Sequence, residues 1–204
     1  LSEETNKMAT SRDNRTISEF KSRLLGGGAR PNLFEVELTT LPASVTFPWQ
    51  AERFGFLCKS ANMPAMTIAN IDVPFRGRIF KVAGDRTIEN WSITVINDED
   101  FLFRNAFEEW TQQIAALDDN MGSTNPASYM VNAKVYQLGR GSTVASTNNA
   151  GDTNVVLKEY EFIDIFPVSV GPIDLSYEST DTIEEYTVEF AVQSYNVTGA
   201  GTEG

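Results

Sequence analysis

Histidine is absent from the 204-residue sequence, and Cys58 is its only cysteine. These two facts remove Ser-His-Asp and Cys-His catalysis and the commonest transition-metal ligand. One thiolate and no imidazole cannot build a structural zinc site. Carboxylates are the chemistry that remains. Glu159 with Glu161, and Glu185 with Glu189, have spacings that place each pair on one face of a strand. Such a pair is the minimum for a glycosidase-type acid and base. The strands that carry them are apolar at alternate positions, as the strands of a hydrated sheet face are, and that reading is preferred. No interleaved tryptophans mark a sugar cleft. Asp98-Glu99-Asp100 is explained by a helix start, where capping oxygens and negative charge are favourable. Asp118 to Gly122 fails as a calcium loop, because Gly122 falls at the fifth, ligand-bearing position and no glutamate closes the twelfth. Gly26-Gly27-Gly28 lacks both the Lys-Ser/Thr of a P-loop and the spacing of a dinucleotide turn. The expectation is therefore no catalytic, cofactor-binding or metal-binding residue, and no cofactor.

Charge excludes more than its total of −12 suggests. Residues 1–40 hold six basic and six acidic side chains, whereas residues 152–204 hold one basic and eleven acidic, net −10. Gripping nucleic acid needs clustered Lys and Arg to neutralise phosphates. A surface that DNA passes without sticking needs the opposite. No apolar run approaches the roughly 18 residues of a membrane helix, so no membrane contact is expected. The polar, acidic start Leu1-Ser2-Glu3-Glu4 carries no secretory pattern. Cys58 has no intrachain partner and is expected to be a buried thiol.

The elements that position these residues follow from periodicity. Residues 1–28 read as an arm, with a short helix from Thr16 to Leu25. Its apolar face is Ile17, Phe20 and Leu24, Thr16 with Glu19 has capping-box spacing, and Gly26-Gly27-Gly28 is its hinge. Phe34, Val36 and Leu38 alternate with polar residues as a strand. Phe54 to Lys59 reads as a second strand, and Ala65 to Val73 as a rim segment or edge strand. Phe75 to Phe80 is short and basic. Lys81 to Thr87 reads as a loop or strand rim, because Gly84 and Asp85 favour turns. Trp91 to Ile96 alternates as a strand. A helix is predicted over about 100–117, with Phe103, Phe107, Trp110, Ile114 and Leu117 on one stripe. Met130 to Leu138 and Val155 to Phe166 read as strands, with a mobile loop over about 139–154 between them. Pro167 is expected to turn the chain, Asp174 to Tyr177 to be a short strand, and Tyr186 to Val192 to be the last strand. Residues 198–204 are expected to be a flexible tail. The fold class is mainly β: two packed antiparallel sheets, or a small barrel, with one flanking helix, over residues 29–197.

Several stretches are also similar, in one order, to the tail tube family of contractile-tailed bacteriophages of the T-even type. Ala83-Gly84-Asp85-Arg86-Thr87, then Trp91, then Asn97-Asp98-Glu99, resembles its central block. Ala29 to Phe34 resembles its entry into the first strand, and Cys58-Lys59 followed by Met63-Pro64 a second block. Phe166 to Gly171 and Tyr186 to Val192 resemble its C-terminal part. The resemblance spans Ala29 to Val192. It implies a structural protein of the virion tail, assembled in the host cytoplasm. Hexameric rings would stack into a hollow tube with an acidic lumen that conducts the genome. The implied partners are copies of the chain, the sheath, the baseplate, the tail terminator, and DNA in transit. The alternative is the tube of a related contractile injection or type VI secretion machine, with effectors as cargo. A carboxylate-dependent hydrolase ranks third.

On this reading Gly26, Gly27, Gly28, Arg30, Arg76, Arg78, Lys81, Asp85 and Arg86 are the candidates for contacts between subunits. They are basic, flexible or rim-like, without obvious internal work. Glu159, Glu161, Glu185 and Glu189 are the candidates for the lumen, with the sheath side as the other destination. Val155, Leu157, Ile163 and Ile165 share the parity of Glu159 and Glu161, which pulls against that half of the assignment.

Overall fold

The longest alternating run of the chain becomes a strand that belongs to two sheets at once. The computed structural model describes residues 16–24, 28–119, 121–139 and 155–199. In chain order the elements are α1 (Ile17–Arg23), β1 (Phe34–Glu37), α2 (Ala51–Leu57), β2 (Cys58–Ala61), β3 (Met66–Phe75) and β4 (Arg78–Ile88). They continue with β5 (Trp91–Ile96), α3 (Leu102–Ile114), β6 (Val131–Leu138), β7 (Val156–Val170), β8 (Glu185–Ala191) and β9 (Ser194–Gly199). The first half of β7 pairs with β6 on one side and β9 on the other, and β1 extends the sheet beyond β6. The second half pairs with β8, which leads on to β5 and β2. Every pairing is antiparallel.

The change of sheet happens at Asp164, which sits at φ +55°. There Ile163 and Asp164 oppose the single residue Asn132, and Asn132 Oδ1 accepts the Asp164 N–H at 3.1 Å. This is a bulge, and a bulge bends its strand and resets side-chain parity. Phe162 and Ile165 are both fully buried although they are three residues apart. The parity conflict in the sequence is resolved for Ile165, which points inward although Glu159 and Glu161 point outward, whereas Leu157 and Ile163 keep the parity of the two glutamates. Pro167 does not end the strand as expected. It lies inside β7 at a second irregularity, between Pro167 and Ser169, where a missing N–H is tolerated.

One apolar cluster fills the space between the sheets. Trp91 of β5 stacks on Phe162 of β7 at 4.8 Å and lies 5.3 Å from Phe190 of β8. α3 covers the open side with Phe103, Phe107 and Trp110 buried, and Phe107 and Trp110 lie 5.9 and 6.0 Å from Phe190. The helix is shorter than predicted. The chain folds back beneath its end, with the Ala116 N–H donating to Met121 O and the Ser123 N–H to Gln113 O. Leu117 is left 87 % exposed. At the other end Asp100 caps the Leu102 N–H at 3.1 Å.

Other expectations need correction. Most of Phe54 to Lys59 is the helix α2, with strand geometry starting only at Cys58. Strand parity would bury Phe54 and Phe56 together, but Phe54 is fully buried and Phe56 is 82 % exposed. Helical spacing instead places Phe54, Leu57 and Cys58 against the core. Arg53 on α2 ion-pairs with Asp98 and Asp100 ahead of α3, which joins the two helices. Asp174 to Tyr177 forms no strand, and Leu175 and Tyr177 are exposed. β9 was not foreseen. It carries Thr198 and Gly199 into register with Glu159 and Lys158, so the expected tail does not begin at Thr198. Arm residues 1–15, loop residues 140–154 and tail residues 200–204 lie outside the described residues. No helix among the described residues is long and apolar enough to cross a membrane.

Candidate assembly surfaces

Among the described residues three kinds of surface stand uncovered: a hairpin, the outer faces of the sheets, and a helix. The first is the β3–β4 hairpin. Lys81 to Thr87 is no loop: it lies within β4, paired to β3 from Phe75↔Arg78 to Met66↔Ile88. The two-residue turn is Arg76-Gly77, at φ +45° and +80°. Positive φ at both central positions matches the right-handed twist of a hairpin. Asp85 and Gly84 together oppose Ala69, a bulge where a Cβ on Gly84 would crowd Ala69 O at 3.0 Å. The hairpin contributes nothing to the core cluster. One of its faces presents Ile71, Val73, Phe75, Phe80 and Val82, each between 40 % and 67 % exposed. Arg76, Arg78, Lys81, Asp85 and Arg86 are all exposed on it. The Arg76 guanidinium sits 5.4 Å over the Phe75 ring, and Lys81 faces Asp72 across the strands.

The second surface is the outer face of the β1–β6–β7–β9 sheet. Alternation turns Val36, Val135 and Phe162 inward, so Glu35, Glu37, Lys134, Tyr136, Glu159 and Glu161 share the outer face. The Lys134 Nζ donates to Glu159 at 2.9 Å and lies 4.0 Å from Glu161. The Tyr136 hydroxyl donates to Glu37 Oε2 at 2.7 Å. Its hydrogen bond to Glu159, then the nearby charges of Glu159, Glu161 and Glu37, raise the pKa of the Lys134 ammonium. Burial and then the Glu37 carboxylate hold the Tyr136 phenol protonated well above its ordinary range. These six positions hold four carboxylates and one ammonium, net −3.

The outer face of the β7–β8–β5–β2 sheet is milder. It holds Glu185 and Glu189 among Ser92, Thr94 and Thr187, and Lys59 pairs with Glu185 at 2.5 Å. Two carboxylates and one ammonium leave −1. The four glutamates singled out in the sequence are thus split between the outer faces of two different sheets. The third surface is α1. The Thr16 hydroxyl caps the Glu19 N–H at 3.2 Å, and Ile17, Phe20 and Leu24 are all exposed. Gly28 stands at φ +85°. Arg30 is exposed, and its carbonyl accepts from Gln137 Nε2 at 2.7 Å. Gly26 and Gly27 lie outside the described residues.

A family model of the phage tail tube protein matches residues 29–198. The chain is 34% identical over 167 residues to the tail tube protein gp19 of Enterobacteria phage T4, covering 82% of this chain and 90% of that protein. This chain belongs to the phage tail tube protein family. The tail tube protein of Serratia phage KSP90 is 26% identical over 176 residues, covering 85% of this chain and 92% of that protein. The fold extends further. A chain of the anti-feeding prophage baseplate superposes with a TM-score of 0.57 at 12% identity, covering 85% of this chain and 97% of that one.

Against this tail tube architecture, the sequence located the basic residues of the hairpin but not its structure. Alternation across Ile71, Val73 and Phe75, and across Phe80 and Val82, was the available signal. Alternation with Phe34, Val36 and Leu38 puts Glu35 and Glu37 on one strand face, but their junction with Glu159 and Glu161 depends on β6 lying between β1 and β7.

Proposed function

We propose that this chain is the structural subunit of the inner tube of a contractile phage tail and performs no catalysis. The subunits close into six-membered rings that stack into a hollow tube, and the bore conducts the viral genome. The sheath, the baseplate and the tail terminator are the other partners, and assembly takes place in the host cytoplasm. The observation that carries this reading is the β3–β4 hairpin, an apolar arm with no cover among the described residues of its own domain. A lone two-stranded hairpin is marginal in water. Its exposed Ile71, Val73, Phe75, Phe80 and Val82 suit a neighbouring subunit, and its arginines suit the acidic surface of a chain with net charge −12. The Gly28–Arg30 entry and α1 supply a second contact of the same kind. Head-to-tail contacts that close make rings.

The outer face of the β1–β6–β7–β9 sheet lines the bore, because net −3 repels a polyanion better than the −1 of the other sheet. Repulsion reaches only about 8–10 Å at physiological salt, so the carboxylates must stand on the wall itself. Phage cargo is favoured over effectors because the 34% relative is a phage tail tube protein, whereas the injection-particle chain shares 12%.

The test removes the arm. The Glu89 N–H donates to Ala65 O at 3.0 Å, so the hairpin leaves and re-enters the domain at one point. Replacing residues 66–88 by a short Gly-Ser tie should leave a folded monomer with unchanged near-ultraviolet dichroism. Negative-stain microscopy should then show no tubes, where the parent chain forms them. Arg86→Glu should weaken tube formation in the same assay. Tubes of normal length from both variants would overturn the reading.

A further inference from the structure

Lys134 is the one cation among the six residues that share the outer face of the β1–β6–β7–β9 sheet, at the centre of the surface assigned to the bore. Repeated around a ring and along a tube, an unpaired lysine here would form columns of cations facing the DNA. Each phosphate contact adds to affinity and to its salt dependence. The structure holds Lys134 otherwise. Glu159, diagonally across on β7, takes its ammonium at 2.9 Å, and Glu161, directly opposite, stands 4.0 Å away. The Lys134 side chain stays 37 % exposed, so burial does not hide it and the carboxylates are what compete for its ammonium. Glu37 is engaged separately by the Tyr136 hydroxyl.

We infer that Glu159 and Glu161 mask Lys134, so that a wall that contains a lysine still offers no phosphate-binding site to DNA in transit. The inference rests on the proposed bore. It assigns Glu159 and Glu161 a role distinct from that of Glu35 and Glu37: the first pair occupies the ammonium, whereas Glu37, opposite Lys134 on β1, is bonded to the Tyr136 hydroxyl and, like Glu35, adds charge without a bond to Lys134.

Assembled tubes are mixed with a labelled duplex oligonucleotide at low salt and sedimented. Parent tubes should retain no more DNA than a blank. Glu159→Gln with Glu161→Gln should raise retention about tenfold at low salt, and roughly 0.2 M salt should abolish it. Adding Lys134→Gln should return retention to the parent level. Glu35→Gln with Glu37→Gln removes the same charge without uncovering the ammonium and should retain nothing extra. Equal retention by the two double variants would reduce the effect to net charge and overturn the masking. Retention that survives Lys134→Gln would overturn it as well. Retained DNA that is open to nuclease but lost with Lys134→Gln supports the masking and overturns the placement of this face in the bore. Should the variants not form tubes, heparin retention by the monomer reads the same face. The Glu159/Glu161 double variant should elute later than parent and than the triple variant, and co-elution of the three would sink the inference.

Discussion

Asp164 shows how much one backbone angle decides. At φ +55° it creates the bulge that moves β7 from one sheet to the other and turns Ile165 inward. Left-handed geometry strains L-residues by about 1–2 kcal/mol, least for Asp, Asn and Gly. Asp164→Gly should therefore leave stability unchanged or slightly higher. Asp164→Val should lower it by about 1–2 kcal/mol, as read from the denaturant midpoint. Cys58 offers a pH test at the same scale. Burial pushes its thiol up to about 12 from an ordinary 9.0. The folded state then holds the proton while the unfolded chain ionises. This contribution to stability is fully present below about pH 9 and is lost as the pH rises towards 12. With reductant present, parent and Cys58→Ala midpoints should converge between about pH 8 and about pH 10.5 as the parent weakens more steeply.

Among the elements, the hairpin and α3 are opposites. α3 is stabilised by what it buries: Phe103, Phe107 and Trp110 face the core, and the oxygens of Glu109 hold Thr46 and Phe47. The hairpin buries almost nothing and depends on its own turn and bulge. Gly84 is the sensitive point, since a side chain there meets Ala69 O at 3.0 Å and Ile71 Cγ1 at 3.2 Å. Gly84→Val should disorder the hairpin, seen as loss of amide protection over residues 66–88, while the thermal midpoint of the domain stays within about 2 °C. Gly171→Val makes the contrast. Its Cβ would meet Thr187 O at 2.9 Å inside the domain, so the midpoint itself should fall.

At the scale of the whole molecule, both sheets and α3 share a single core cluster through β7. Unfolding should be one transition, with far-ultraviolet dichroism and tryptophan fluorescence coincident. Phe162 touches Trp91 of the second sheet and Tyr195 of β9, so Phe162→Ala should cost about 3–5 kcal/mol and shift both signals together. Separate shifts would show two sheets that fold independently. Charge acts at this scale too. The glutamates of the two outer faces are indistinguishable as pairs in the chain, and only the strand order gives one face −3 and the other −1.

Local periodicity by itself determined the alternation of β1, β5 and β8, the buried Phe103, Phe107 and Trp110 of α3, and the Thr16 cap. Ordered matches from Ala29 to Val192 determined the family. These signals reside in a few neighbouring residues, where backbone period and side-chain polarity act directly. Tertiary structure decided everything that depends on a distant partner. It made Phe54 helical by seating it against Trp49 and Phe103, turned Gly84 from a turn former into a bulge residue by placing Ala69 beside it, and inverted β7 with Asn132 opposite Asp164. It also gathered Glu35, Glu37, Glu159 and Glu161 around Lys134 and Tyr136. Alternation gives a strand two faces, but only pairing across long sequence separations fixes what each face meets.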